Sequence, residues 1–179
     1  PIAVAAIGGV VAVGHLRLAL AFLGPVTIAW VAMMNLVTPS LARNPRRLMQ
    51  TATLLSGGGV AAVLAWGITG FAVPADVGSR LIGDTWIGAR SWIPWIVLGQ
   101  ATLAAFGGPV VGFRSIGRSA TILSIRARVF PILILAPCLG FVLANRAGYG
   151  IGQATAGLLA TFLFWRSLVA TSALGARKA

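Results

Sequence analysis

This chain predicts an all-α integral membrane fold with about six transmembrane helices, and three observations support that prediction. Hydrophobic residues fill 58% of the 179 positions and charged residues only 9%, against roughly a quarter charged in a soluble domain. Mean hydropathy is +0.95. The apolar residues gather into long runs bounded by arginine, proline and glycine, without strand-like alternation of any length and without an internal repeat. Such runs are the pattern of helices that cross a bilayer.

The charge balance needs a separate reading. Fourteen lysines and arginines face two acids, for a net charge of +12. On a soluble protein that excess would suggest a nucleic-acid face. Here the cations sit between or beside the apolar runs, as in cytoplasmic loops and snorkelling helix ends. The expected partner is the lipid bilayer, and nucleic acid is not expected.

The first run, residues 2–14, has 13 residues. At 1.5 Å per residue it reaches about 20 Å, short of the roughly 30 Å hydrocarbon core. It reads as a span whose start lies upstream, closed by a turn at His15 and Arg17. The second run, 18–41, carries Pro25 early, where a missing amide costs little, and ends at Pro39 before Arg43, Arg46 and Arg47. The third, 51–73, contains Gly57, Gly58 and Gly59, which in a membrane permit close backbone approach.

Residues 74–92 form the one polar interlude. It holds both acids, Asp76 and Asp84, balanced by Arg80 and Arg90, with Trp86, Trp92 and Trp95 around it. Tryptophans so placed mark a membrane–water boundary, and part of the segment suits a short interfacial helix. The fourth run, 93–112, has Gln100 near its middle and Gly108 and Gly112 at its end. A basic connection with Arg114, Arg118, Arg126 and Arg128 leads to the fifth run, 129–145, which contains Pro131 and Pro137. The sixth, 149–170, follows a turn. Gly148, Gly152, Ala156 and Ala160 recur every four residues there, which predicts a helix–helix seam.

Orientation follows from the arginines. Arg43, Arg46, Arg47, Arg114, Arg118, Arg126, Arg128, Arg166, Arg177 and Lys178 fall on one side, against Arg17, Arg80, Arg90 and Arg146 on the other. The positive-inside rule makes the first side cytoplasmic, and six spans then place both ends there.

Reactive groups are few. One His, one Cys, one Tyr and two acids offer no metal-ligand spacing, so neither a metal nor another cofactor is expected. Cys138 lies within an apolar run and suits packing. Ser56 precedes glycines, but the one histidine lies before it, which disfavours a serine–histidine protease. An arginine-rich, acid-poor inventory argues against an enzyme and fits the handling of an anionic substrate. Four residues are candidates to meet it. Arg17, at the start of the second run, either faces a cavity or snorkels to the interface. Arg114 ends the fourth run, where fixing topology is the commoner role. Asn35 and Gln100 are polar within apolar runs, and either line a path or bond a neighbouring helix.

Three pieces, taken in order, carry a resemblance: GHLRLALAFLGPVTIAWVAMMNLVTPSLARNPRRL (14–48), PADVGSRLIGDTWIGA (74–89) and GFRSIGRSATILSIRAR (112–128), before a Gly/Ala-rich helix ending in Phe164, Trp165 and Arg166. In this order they resemble the C-terminal half of polysaccharide-biosynthesis flippases of the multidrug/oligosaccharidyl-lipid/polysaccharide exporter superfamily, actinobacterial type. The resemblance implies one lobe of a two-lobe fold, helices seven to twelve, with an N-terminal lobe in the same protein. It implies transport of an anionic lipid-linked saccharide across a bacterial cell membrane, with Arg17 as the matching cationic position. A drug or metabolite exporter of the same superfamily and a non-transporting membrane assembly subunit are the alternatives.

Overall fold

The computed structural model describes residues 2–176. Within them the chain is helical, without a strand. It forms α1 (Ile2–Phe22), α2 (Gly24–Arg43), a 3-10 turn (Pro45–Arg47), α3 (Leu48–Ala72), α4 (Ala75–Ile82), α5 (Thr85–Arg90), α6 (Ile93–Ala105), α7 (Gly107–Ser115) and α8 (Ser119–Ala176). Four stretches are long and apolar enough to cross a membrane: Gly24–Arg43, Leu48–Ala72, Ile93–Ser115 and Ser119–Ala173. The chain therefore has the architecture of a membrane-embedded helical bundle. Arg177 and Lys178 lie outside the described residues.

α8 is not one rod. At Ala144 (φ −145°, ψ 32°) and Asn145 (φ 51°, ψ −136°) the backbone leaves the helical region, and the halves fold back on each other. The alternating small residues make this possible. A Cβ on Gly148 would strike the Gly140 carbonyl, and one on Gly152 would strike the Ala136 carbonyl. Ala156 and Ala160 are buried further along the same line. The predicted seam is thus the inner face of a hairpin, with backbones in direct contact as small residues allow. Pro131 and Pro137 lie inside the first half, where neighbouring helices make such interruptions tolerable.

The bundle has two ends. One carries Trp86, Trp92 and Trp95 with α4, α5 and the α8 turn; the other carries Arg43, Arg46, Arg47, Arg114 and Arg118. At the tryptophan end a core forms around Leu16, Trp86, Trp92, Ile93, Ile96 and Phe141. At the arginine end a second forms around Leu41, Leu55, Val111, Phe113, Phe164 and Leu168.

Four expectations change. The turn at His15–Arg17 is absent: α1 runs through both residues to Phe22, since nothing there breaks a helix. The break falls at Leu23, between α1 and Gly24–Pro25, where the proline supplies no amide to the preceding turn. α1 then packs on the tryptophan end, where Leu16 and Ala19 join its core. Gly8 meets the Phe141 ring, Gly88 meets His15, and Gly70 meets Phe22. Second, helix α8 begins at Ser119 and not near 129, because Ile122, Ile125 and Val129 already form a buried stripe at helical spacing. Arg126 and Arg128 are therefore helical residues, and the basic connection shrinks to 116–118.

Third, Trp86 and Trp92 are buried at 1% and 4% exposure, so they form the core of that end and not a belt facing lipid headgroups. Fourth, of the three adjacent glycines only Gly59 is packed, against the Trp30 ring; Gly57 and Gly58 have nothing within 4 Å of an added Cβ.

The junction of α6 and α7 is a patched break. Pro109 has no N–H to give the Ala105 carbonyl, and Ser56 of α3 fills the gap. Its hydroxyl donates to the Ala105 carbonyl at 2.6 Å and accepts from the Gly108 N–H at 3.2 Å. Trp165 Nε1 donates to the same carbonyl at 3.3 Å. Gly108 has to be glycine because an added Cβ would strike the Ala52 carbonyl. A similar patch serves the α1–α2 break, where Trp66 Nε1 donates to the Phe22 carbonyl at 2.7 Å.

Candidate functional site: a basic cleft between α2, α6–α7 and α8

A cavity of about 210 Å³ opens between α2, the α6–α7 rod and the first half of α8. Its lining follows from helical spacing. Thr27, Trp30 and Met34 lie on one face of α2, while Leu103, Gly107, Val110 and Arg114 lie on one face of α6–α7, with Gln100 one turn further in. Arg126 contributes from α8. Trp30 reaches in because Gly59 and Gly107 leave room: an added Cβ would come within 2.6 Å and 3.1 Å of its ring.

A second cavity of about 240 Å³ adjoins it, sharing Phe106 and Arg126 and otherwise lined by Val129, Phe130, Leu133, Ala160 and Phe164. Its wall is stiffened by the Phe106–Phe164 stack, with centroids 5.4 Å apart and planes 13° from parallel. Arg126 therefore stands where the two cavities meet.

The electrostatics are simple. Both carboxylates of the chain, Asp76 and Asp84, belong to the segment at the opposite end of the bundle. Arg114 and Arg126 consequently share a cleft whose lining contains no acid. Arg114 lies in the last turn of α7, where the helix dipole favours a cation. Both arginines are exposed, so an anion entering the cleft can reach them. The arrangement suits an amphiphile with a negative group at the arginines and an apolar portion along Phe130, Leu133 and Phe164. Among the described residues no group of three His, Cys, Asp or Glu side chains stands ready to hold a metal ion.

Of the four candidates read from the sequence, the fold brings Gln100 and Arg114 into this cleft. Arg17 is exposed on α1 near the tryptophan end, and Asn35 is exposed on α2; neither lines the cavity. Arg126 joins the site although the sequence reading had placed it in a loop. The signal was present: Ile122, Ile125 and Val129 at helical spacing put residue 126 on the first helical turns and beside the buried stripe. Trp30 also lines the cleft, and its place depends on two glycines from different helices.

Comparison with protein-family models, with curated proteins and with solved structures returns no match.

Proposed function

We propose that this chain is one lobe of a membrane transporter that passes an anionic, lipid-linked saccharide across a bacterial cell membrane. The observation that carries the reading is the cleft in which Gln100, Arg114 and Arg126 meet an adjoining apolar chamber. A phosphate or pyrophosphate would be held by the two guanidiniums, which bind such oxyanions through charge-assisted hydrogen bonds. Gln100 and Trp30 would receive polar and ring surfaces of the sugar, and the apolar chamber the first part of the lipid tail. No covalent chemistry is required. The six-span topology with both ends cytoplasmic, and a companion N-terminal lobe, complete the proposal, since alternating access in such transporters comes from rocking of two halves around a central site.

The test is reconstitution of the full-length protein in proteoliposomes with an undecaprenyl-type lipid-linked oligosaccharide labelled on its sugar. Transfer to the far leaflet is expected for the wild type, and a fall of at least tenfold for Arg114→Gln/Arg126→Gln. Equal transfer by wild type and double variant would remove the site from the mechanism. Transfer absent from the wild type as well would remove the transport reading.

A further inference from the structure

The tryptophan end carries a second concavity, which the proposed transport path does not use. It is an open recess of about 430 Å³ where α1 crosses the turn of α8. Ala12 and His15 line it from α1, Asn145 and Arg146 from the turn, with Trp92 and Phe141 between them.

Three features point to a ligand. An imidazole, a carboxamide and a guanidinium line a single space from two separate elements, and no carboxylate is among its lining residues. Arg146 is anchored, because its Nη1 donates to Ser91 Oγ at 2.7 Å. That bond fixes one edge of the guanidinium and uses one of its five N–H donors. Asn145 is, among the described residues, the one non-glycine with positive φ, at 51°. Glycine adopts that conformation freely, so an asparagine kept there holds strain, and strain of this kind gathers at ligand sites. Beneath these groups Trp92 and Phe141 are stacked with centroids 5.8 Å apart, which gives the recess a pre-formed, apolar floor.

We infer that this recess binds a phosphate group carried on a small polar body, the chemistry shared by a glycerophospholipid headgroup and a free, water-soluble phosphate ester. A planar carboxylate is satisfied by one guanidinium fork. Donors from two separate elements suit a tetrahedral oxyanion, whose oxygens accept from several directions. The remaining volume leaves space for a glycerol-sized unit against Trp92 and Phe141. The inference does not depend on transport.

The experiment uses the full-length protein purified in maltoside detergent, which carries no phosphate, titrated calorimetrically with two probes. One is glycerol 3-phosphate and the other dihexanoyl phosphatidic acid. Saturable binding is expected; tighter binding of the lipid by tenfold or more assigns a membrane source, and equal or tighter binding of glycerol 3-phosphate a soluble one. His15→Gln and Arg146→Gln are each expected to weaken binding at least tenfold, while Arg43→Gln at the other end leaves it unchanged. Asn145→Gly guards against loss of fold: it is expected to raise the melting temperature and still weaken binding about fivefold. Failure of both probes to bind the wild type overturns the inference. So does unchanged affinity in Arg146→Gln, or a more stable Asn145→Gly with wild-type affinity.

Discussion

Replacing Ser56 by alanine tests how the bundle tolerates its broken helix. The Ser56 side chain is buried at 7% exposure. It donates to the Ala105 carbonyl at 2.6 Å and accepts from the Gly108 N–H at 3.2 Å. Alanine fits the space but leaves the buried Gly108 N–H without a partner, and leaves the carbonyl with Trp165 Nε1 alone at 3.3 Å. A stranded buried donor costs about 1–3 kcal/mol. A bilayer offers no water to relieve it, although single interhelical bonds in membrane proteins average only about 0.6 kcal/mol because the unfolded state also finds partners. Weighing both, Ser56→Ala should destabilise by about 2 kcal/mol, roughly a 30-fold change in the folding equilibrium. Reversible unfolding in mixed micelles titrated with dodecyl sulfate, followed by circular dichroism, reads this directly. Since Ser56 and Trp165 share one acceptor, Ser56→Ala/Trp165→Phe should exceed the sum of the single losses. A change under about 0.5 kcal/mol for Ser56→Ala, with additive losses in the double variant, would refute the assignment of the serine as the patch.

Other outcomes follow from the same contacts. Gly152→Val places side-chain carbons against the Ala136 carbonyl and Pro137, and should cost about 3 kcal/mol in the same unfolding assay. Gly57→Ala, with open space around its Cβ, should instead stabilise by about 0.5–1 kcal/mol by improving helix propensity. Trp66→Phe removes the indole N–H from the Phe22 carbonyl while keeping a ring near Phe22, and should cost about 1 kcal/mol. A cysteine at 126 should be protected from a charged thiol reagent by an added anionic amphiphile, whereas a cysteine at 17, outside the cleft, should react at an unchanged rate.

The membrane class was legible because it rests on composition, and the α8 seam because Gly148, Gly152, Ala156 and Ala160 repeat at the spacing of one helix face. Gln100 and Arg114, which line the cleft, stood out as candidates for a similar reason, being polar groups within or ending an apolar run. Boundaries were harder. His15 and Arg17 look like a loop when hydropathy alone is read, yet charge does not break a helix, and Gly24–Pro25 does. Arg126 and Arg128 hid the start of α8 for the same reason. Trp86 is buried against Phe22 of α1 and Gly78 of α4, and Trp92 against Phe141 and Tyr149 of α8, and no local pattern announces either. Arg17 and Asn35 were chosen for their chemistry, and which way each faces is set by packing between helices far apart in the chain.

The Ala105 carbonyl is held from α3 by Ser56 and from α8 by Trp165, so one oxygen binds three rods at mid-height. The α6–α7 junction, just ahead of the segment that presents Arg114, is therefore tied to both neighbours. α2 is under no such tie: within its span only Leu41, near its far end, is buried, and it joins α1 through the Leu23–Gly24 break. Arg114 and Arg126 both lie on the tied side of the cleft, and α2 forms the side that no such hydrogen bond anchors.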